Sequence, residues 1–244
     1  MHHINDQEYW IRRHQEKDGL AAVGMLTSSE ESNYWLYQIV LEQYELIFRK
    51  LNLPIPPKVL DAGCGIGAYF DFFLARHCIV TAVDVSPEAL EKIKTKYGVK
   101  VKTFCSPLNN LTLNESFDIV HCFDVLYHIL NDREWTQALE RLALHSGHYI
   151  ILHERFLARR QFISARHVNF RTYSVTANKL QALGFTETAT IPTHFFASYL
   201  FTYFWAKYFP EFFYRLDKKI LDFCVRNNHL SWGAYHIKVF EKVK

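Results

Sequence analysis

Several things are scarce in the 244-residue sequence, and each scarcity excludes something. Nine glycines and seven prolines rule out collagen-like or Pro/Gly-rich low-complexity chains. No stretch reaches the roughly 18 uncharged apolar residues of a membrane span. The opening MHHINDQEYWIRRHQ lacks the apolar core of a signal peptide, so the sequence reads as cytoplasmic. The five cysteines (Cys64, Cys78, Cys105, Cys122, Cys224) form no C-x-x-C pair and are odd in number. That argues against a disulfide framework or a zinc site, and for free thiols in a reducing compartment. Excess charge is small too: 28 Lys and Arg against 25 Asp and Glu leave +3, too little to argue for nucleic acid. No fixed-period repeat is present. What remains is core material: 244 residues with 49% hydrophobic and 22% charged suit one large domain, or one domain carrying an insertion, better than two full domains.

The hydrophobic period organises the chain. Residues 1–53 read as a helical cap, with Ser32 to Leu51 as one amphipathic helix ended by Pro54, Pro56 and Pro57. From Lys58 the pattern becomes strand, helix, strand, helix. Strands are expected at Lys58–Ala62, Cys78–Asp84, Val99–Phe104, Phe117–Phe123 and His148–His153, and a helix from Asp132 to about Leu144. Ser86-Pro87 supplies an N-cap and a first-turn proline for the helix to Tyr97. A helix over Thr176–Leu183 leads to a strand at Phe185–Ile191. Trp232–Phe240 alternates like an antiparallel edge strand. The fold class is α/β: a doubly wound, seven-stranded, mostly parallel sheet with N-terminal helices. A helical, aromatic-rich insertion at 195–229 precedes the last strand. Between Phe195 and Phe223, 13 of 29 residues are aromatic, which reads as a helical cap, a lid over an apolar substrate, or a membrane-surface patch.

Val59-Leu-Asp-Ala-Gly-Cys-Gly-Ile-Gly67 lies where a strand hands over to a helix, so backbone N–H groups can approach a ligand closely. The third glycine comes one residue early for a dinucleotide fingerprint. Asp61 would repel a pyrophosphate but suits an ammonium group. Asp84, 23 residues later at the end of the next strand, suits the two hydroxyls of a ribose. Together they ask for a nucleoside carrying an amino acid.

This pattern resembles the class I (Rossmann-like) S-adenosylmethionine-dependent methyltransferases, strongly from Lys58 to Leu152 and more weakly to the closing strand. The resemblance implies S-adenosyl-L-methionine as cofactor for residues 54–244. It places Asp61, Gly63, Cys64, Gly65 and Gly67 at the methionine part, and Asp84, Val85 and Ser86 at the ribose. Phe117-Asp-Ile-Val-His-Cys-Phe-Asp-Val-Leu-Tyr-His-Ile129 resembles the family's fourth-strand motif, which puts Phe123, Asp124, Tyr127 and His128 at the pocket. The acid that relatives carry after the third strand, at the adenine, has no counterpart in Phe104-Cys-Ser-Pro-Leu108. Cys105 and Ser106, or a nearby carbonyl, stand in its place. No metal is implied.

Methyl transfer from a sulfonium is chiefly alignment, but a hydroxyl acceptor also needs a base. His153, ending the fifth strand, is the first candidate, followed by His128 and His167. Five arginines in the stretch 153–171 read as a solvated basic face or as an anchor for an anionic acceptor, through Arg166 or Arg171. Trp35, Tyr37 and Tyr173 join Tyr127 as expected substrate contacts. The leading expectation is O-methylation of a small-molecule, glycan or lipid-like acceptor with an anionic group. Peripheral membrane contact and a homodimer are candidate associations, and no nucleic-acid partner is expected. The alternatives are an RNA or protein methyltransferase and a catalytically silent S-adenosylmethionine or S-adenosylhomocysteine binder.

Overall fold

Val59 and Leu60 explain the sheet before any other residue: both are fully buried, on opposite faces of one strand. A strand buried on both faces carries a continuous apolar run, and such strands form parallel sheets covered by helices. The computed structural model describes residues 6–25, 28–157, 161–165, 167–196, 205, 208–233 and 235–243. Its strands are β1 (Lys58–Ala62), β2 (Ile79–Asp84), β3 (Val101–Cys105), β4 (Phe117–Phe123), β5 (Ser146–Glu154), β6 (Phe162–Ala165), β7 (Val168–Phe170), β8 (Phe185–His194) and β9 (Tyr235–Lys242). Seven of them form one sheet in the order β3-β2-β1-β4-β5-β9-β8. The first five pair in parallel, and β9 runs antiparallel to both its neighbours.

The helices are α1 (Asp6–Glu16), α2 (Glu30–Phe48), α3 (Phe70–Leu74), α4 (Pro87–Tyr97), α5 (Asp132–His145), α6 (Tyr173–Ala182) and α7 (Pro210–Arg226). One face of the sheet buries Val59, Val80, Ile119 and Ile151 under Tyr44 of α2, Phe70 and Phe73 of α3, and Leu90 and Ile93 of α4. The other buries Leu60, Val120, Ile150 and Phe240 under Trp135, Leu139 and Leu142 of α5 and Leu180 of α6. Caps start the helices where the sequence signals them. Ser86 accepts from the Ala89 N–H at 3.2 Å ahead of Pro87, and Asn131 accepts from Arg133 and Glu134 at 2.9 and 3.2 Å.

The structure corrects two expectations. The last strand is not an edge: β9 inserts between β5 and β8 with His236 to Phe240 all buried, because alternating polarity in the sequence does not distinguish an inner antiparallel position from an outer one. The arginine-rich stretch after β5, where the sequence pattern predicts no strand, contains a hairpin, β6–β7. Within the 195–229 insertion, α7 packs outside α2: the Trp35 and Tyr214 rings lie 4.6 Å apart, and Lys218 pairs with Glu42. Residues 197–204 and 206–207 of that insertion lie outside the described residues.

Candidate active site

Two cavities open where β1, β2, β4, β5 and β8 end, the place where α/β sheets bind ligands. The first holds about 1030 Å³ of empty space and follows the glycine loop. The second holds about 1300 Å³ and lies beside it. Trp10, Tyr37, Tyr69, Asp124 and His128 border both.

The glycine loop is built to be bare. Gly63 and Cys64 donate to the Val83 carbonyl at 2.8 and 3.0 Å, which folds the loop back onto β2. Gly63 (φ 81°) and Gly65 (φ 51°) are in the left-handed region, and a Cβ on them would lie 2.4 Å from Val125 and 2.5 Å from Val23. Parallel register sets Asp61 of β1 opposite His121 of β4, with Asp61 Oδ1 and His121 Nδ1 2.9 Å apart. Asp61 Oδ2 and His121 Nε2 are buried without a hydrogen-bond partner, on residues that line the first cavity. A carboxylate with one unmet oxygen in a cavity wall fits an ammonium group. Asp84 accepts from the Gly65 N–H at 2.8 Å and from the Ser86 N–H at 2.9 Å. Burial pushes its carboxyl above the ordinary value, while those N–H groups and His14 pull the other way. At the far end Ser106, Leu108 and Asn109 face Ile129 and the half-buried Glu134 of α5.

Helix α1 forms the wall between the cavities. Gln7, Trp10 and His14 face the first, and Tyr9, Trp10 and Arg13 face the second. The helix is fastened to α4: Gln15 donates to Glu88 at 2.6 Å, and Lys92 caps the His14 carbonyl at 3.0 Å and pairs with Asp18. His14 is 1% exposed, its Nδ1 has no partner, and burial lowers its pKa.

Asp124 stands at the junction. Its backbone is left-handed (φ 58°), and its N–H donates to the His153 carbonyl at 2.9 Å. This turn is what swings the carboxylate off the end of β4 and into both cavities. His153 Nδ1 donates to Asp124 Oδ2 at 2.8 Å, and its Nε2 lies 2.9 Å from the Thr193 hydroxyl. The Tyr127 hydroxyl donates to Asp124 Oδ1 at 3.2 Å. Burial opposes ionisation of Asp124, but His153, His194 and Tyr127 outweigh it and hold its pKa below the ordinary value. Burial drives His128 and His194 down to about 3; the His128 Nδ1 donates to the His167 carbonyl at 2.7 Å.

Most of the residues expected from the sequence meet here. Asp61, Gly63, Cys64, Gly65, Asp84, Val85, Ser106, Phe123, Asp124 and His128 line the first cavity; Tyr37, Tyr127, His153 and His167 line the second. Others do not. The Arg171 guanidinium bonds Asp132 (2.7 Å) and the Ile129 and Leu130 carbonyls (2.9 and 3.3 Å) and lies over Trp135, with its Nη1 buried without a partner, and it lines neither of the two cavities. Tyr173 lies against Lys238, and Trp35 against Tyr214. Cys105 is exposed, with its thiol on the Val85 carbonyl. Ser86 is fully buried as a helix cap, and Gly67 forms the turn whose N–H meets the Cys64 carbonyl. Arg166 lies outside the described residues. Trp10, His14, Thr193, His194, Tyr235 and Glu134 escaped sequence reading, since nothing local marks them. His121 could have been found, because it shares a face with Asp61 once β1 and β4 are paired. Among the described residues no cluster of three or more His, Cys, Asp or Glu is placed to hold a metal ion, and no helix is long and apolar enough to cross a membrane.

Sheet order, glycine loop and paired acids define a class I S-adenosylmethionine-dependent methyltransferase fold, and residues 59–145 match the methyltransferase domain family. That match covers about a third of the chain. It is similar to the mitochondrial ubiquinone biosynthesis O-methyltransferase of Schizosaccharomyces pombe, with 29% identity over 43% of this chain and 40% of that one. The corresponding protein of Vibrio atlanticus is 27% identical over 55% of this chain and 51% of that one. The chain thus matches about half the length, or less, of these curated relatives. Among solved structures, magnesium protoporphyrin IX methyltransferase of Synechocystis PCC 6803, with S-adenosylhomocysteine bound, superposes at a TM-score of 0.61. It covers 97% of this chain and 94% of that one at 18% identity. The 1,6-didemethyltoxoflavin-N1-methyltransferase of Burkholderia thailandensis gives 0.55, with 86% and 79% covered at 18% identity. At these identities the structures establish the fold.

Proposed function

We propose that this chain binds S-adenosyl-L-methionine in the first cavity and transfers its methyl group to a small-molecule acceptor held in the second. The observation that carries the reading is the unmet Oδ2 of Asp61 beside a glycine loop too tight for any Cβ. That oxygen takes the ammonium of the methionine part, and Gly63 and Gly65 let the backbone lie against it. Asp84 takes the ribose hydroxyls. Asn109 and Glu134 stand along the wall where Ser106 and Leu108 face the adenine, in place of the acid missing after β3.

The donor supplies an activated methyl on a positively charged sulfur. The protein then has to align, exclude water and manage charge, and alignment alone is worth several kcal/mol. Trp10, Tyr37 and Tyr69 border both cavities and keep water from the line between donor and acceptor. Asp124 is the charged group at that line, and His153 and Tyr127 position it. His153 has both ring nitrogens engaged, so it acts through Asp124 rather than on the acceptor itself. The curated relatives are named for oxygen acceptors and the toxoflavin enzyme for a nitrogen, so the comparisons support a heteroatom acceptor. Five free cysteines suit a reducing cytoplasm.

Calorimetric titration of S-adenosylhomocysteine tests the first half, with Asp61→Ala as the comparison. Methyl-labelled S-adenosylmethionine incubated with protein and cell extract tests the second. Label in small molecules that vanishes in the variant supports the reading. Label in RNA or protein, or binding without any transfer, overturns it in favour of the other acceptors or of a silent binder.

A further inference from the structure

The cavities meet at Asp124, and we infer that the acceptor group presented there is a neutral amine nitrogen, an arylamine on an apolar, ring-bearing molecule. This rests on the methyl-transfer reading and names the acceptor class within it.

Shape comes first. Tyr9, Trp10, Tyr37, Tyr127, Phe170 and Tyr235 wall the second cavity from α1, α2, β7, β9 and the turn after β4. Walls of this kind hold a flat solute by offset and edge-on ring contacts. The charge then excludes an anion. Asp124 contributes a carboxylate held ionised by His153. Arg13, a cation on the same cavity, has turned its guanidinium onto the Ala21 carbonyl (3.1 Å) and the Gly24 carbonyl and lies 4.9 Å from the centre of the Trp10 ring. A carboxylate or phosphate on the acceptor would face Asp124 with that cation already committed, which is unfavourable out of water. The inference thus departs from the anionic acceptor expected from the sequence.

Proton management selects nitrogen over oxygen. A hydroxyl has to lose its proton as it attacks. His153 has no free ring nitrogen, the Asp124 carboxylate is a weak base because His153 and Tyr127 hold its pKa below the ordinary value, and His128 and His194 stay neutral because protonating them in this site is costly. A neutral nitrogen attacks without a base. Its lone pair forms the N–C bond while the S–C bond breaks, the S–C electron pair stays on sulfur, and the N–H proton then passes from the cationic product to water. Positive charge moves from sulfur to nitrogen beside Asp124, which accepts the N–H hydrogen bond and meets that charge as it grows.

The test uses 1-aminonaphthalene, 1-naphthol and 1-naphthoate, three probes on one ring system. S-adenosylhomocysteine is titrated first, then each probe onto the saturated protein, and each probe is separately incubated with methyl-labelled S-adenosylmethionine. The amine is expected to bind at least about tenfold tighter than the carboxylate, given like-charge repulsion at Asp124, and to take label on nitrogen. In Asp124→Asn, whose side chain tolerates left-handed backbone, the amine-to-carboxylate affinity ratio is expected to collapse; that ratio is insensitive to any unfolded fraction. Label on 1-naphthol alone, tightest binding of 1-naphthoate, an unchanged ratio in the variant, or no probe binding would each overturn the inference. Failure of S-adenosylhomocysteine to bind removes the methyl-transfer reading itself. Binding of S-adenosylhomocysteine without an amine preference removes only the nitrogen acceptor.

Discussion

Asp61 and His121 stand opposite each other on neighbouring strands, 2.9 Å apart, and each keeps one buried atom without a hydrogen-bond partner. The imidazole fixes which carboxylate oxygen is left free. Asp61→Asn keeps the shape and removes the charge. S-adenosylhomocysteine affinity is expected to fall about 10- to 100-fold, the worth of a charged hydrogen bond, with little change in melting temperature. His121→Phe should lose less affinity, because it frees the carboxylate to turn without neutralising it. Calorimetry on both variants checks the order, and equal losses would contradict it.

Gly65→Ala brings a Cβ to 2.5 Å from Val23 in a backbone of φ 51°. Val23 lines both cavities, so the clash is expected to show twice. Stability should drop by about 1–3 kcal/mol, as for strained or overpacked sites, and S-adenosylhomocysteine affinity should drop with it. Thermal melts with and without ligand separate the two effects.

Arg171→Ala is expected to lower stability by about 2–3 kcal/mol, since the Ile129 and Leu130 carbonyls lose their donor. The exposed Asp132 adds little. Acceptor KM should hardly move in the folded fraction. A large rise in KM with unchanged melting would restore Arg171 to the acceptor site.

Glu154 gives stability a pH signature. Burial first, then the Asp124 carboxylate, push its carboxyl from 4.5 up to about 8. Between those values the folded state keeps a proton that the unfolded chain has lost, so this contribution is complete below about pH 4.5 and is lost as pH rises through about 8. His128 and His194, lowered from 6.5 to about 3, act in reverse: their neutral burial costs least above about pH 6.5 and destabilises as pH falls toward 3. Glu154→Gln should flatten the decline toward pH 8 and leave the acidic limb in place. Urea midpoints across the pH range check this.

Sequence alone made the scaffold legible where local chemistry repeats. Buried runs such as Val59-Leu60, the Ser86-Pro87 cap and the glycine loop each force one local structure, and all were read correctly. Asp61 and Asp84 were legible because their spacing from the loop carries meaning. The wall between the cavities was not. Trp10 and His14 reach the site only because α1 docks on α4 through Gln15 and Lys92, contacts spanning more than 70 residues. The surroundings of Arg171 were hidden for a related reason: a basic run shows where charge is plentiful, not which guanidinium reaches the Ile129 and Leu130 carbonyls.

The position of β9 has a consequence for how the protein is made. Residues 235–242 supply the strand that joins β5 (146–154) to β8 (185–194), so β8 has no partner in the sheet until they arrive. During synthesis at about 5–20 residues per second, β5 and β8 wait for several seconds with ladder edges bare. The ribosome has to deliver nearly every described residue before the sheet can close, and until then a chaperone or a stray edge of another chain competes for the gap.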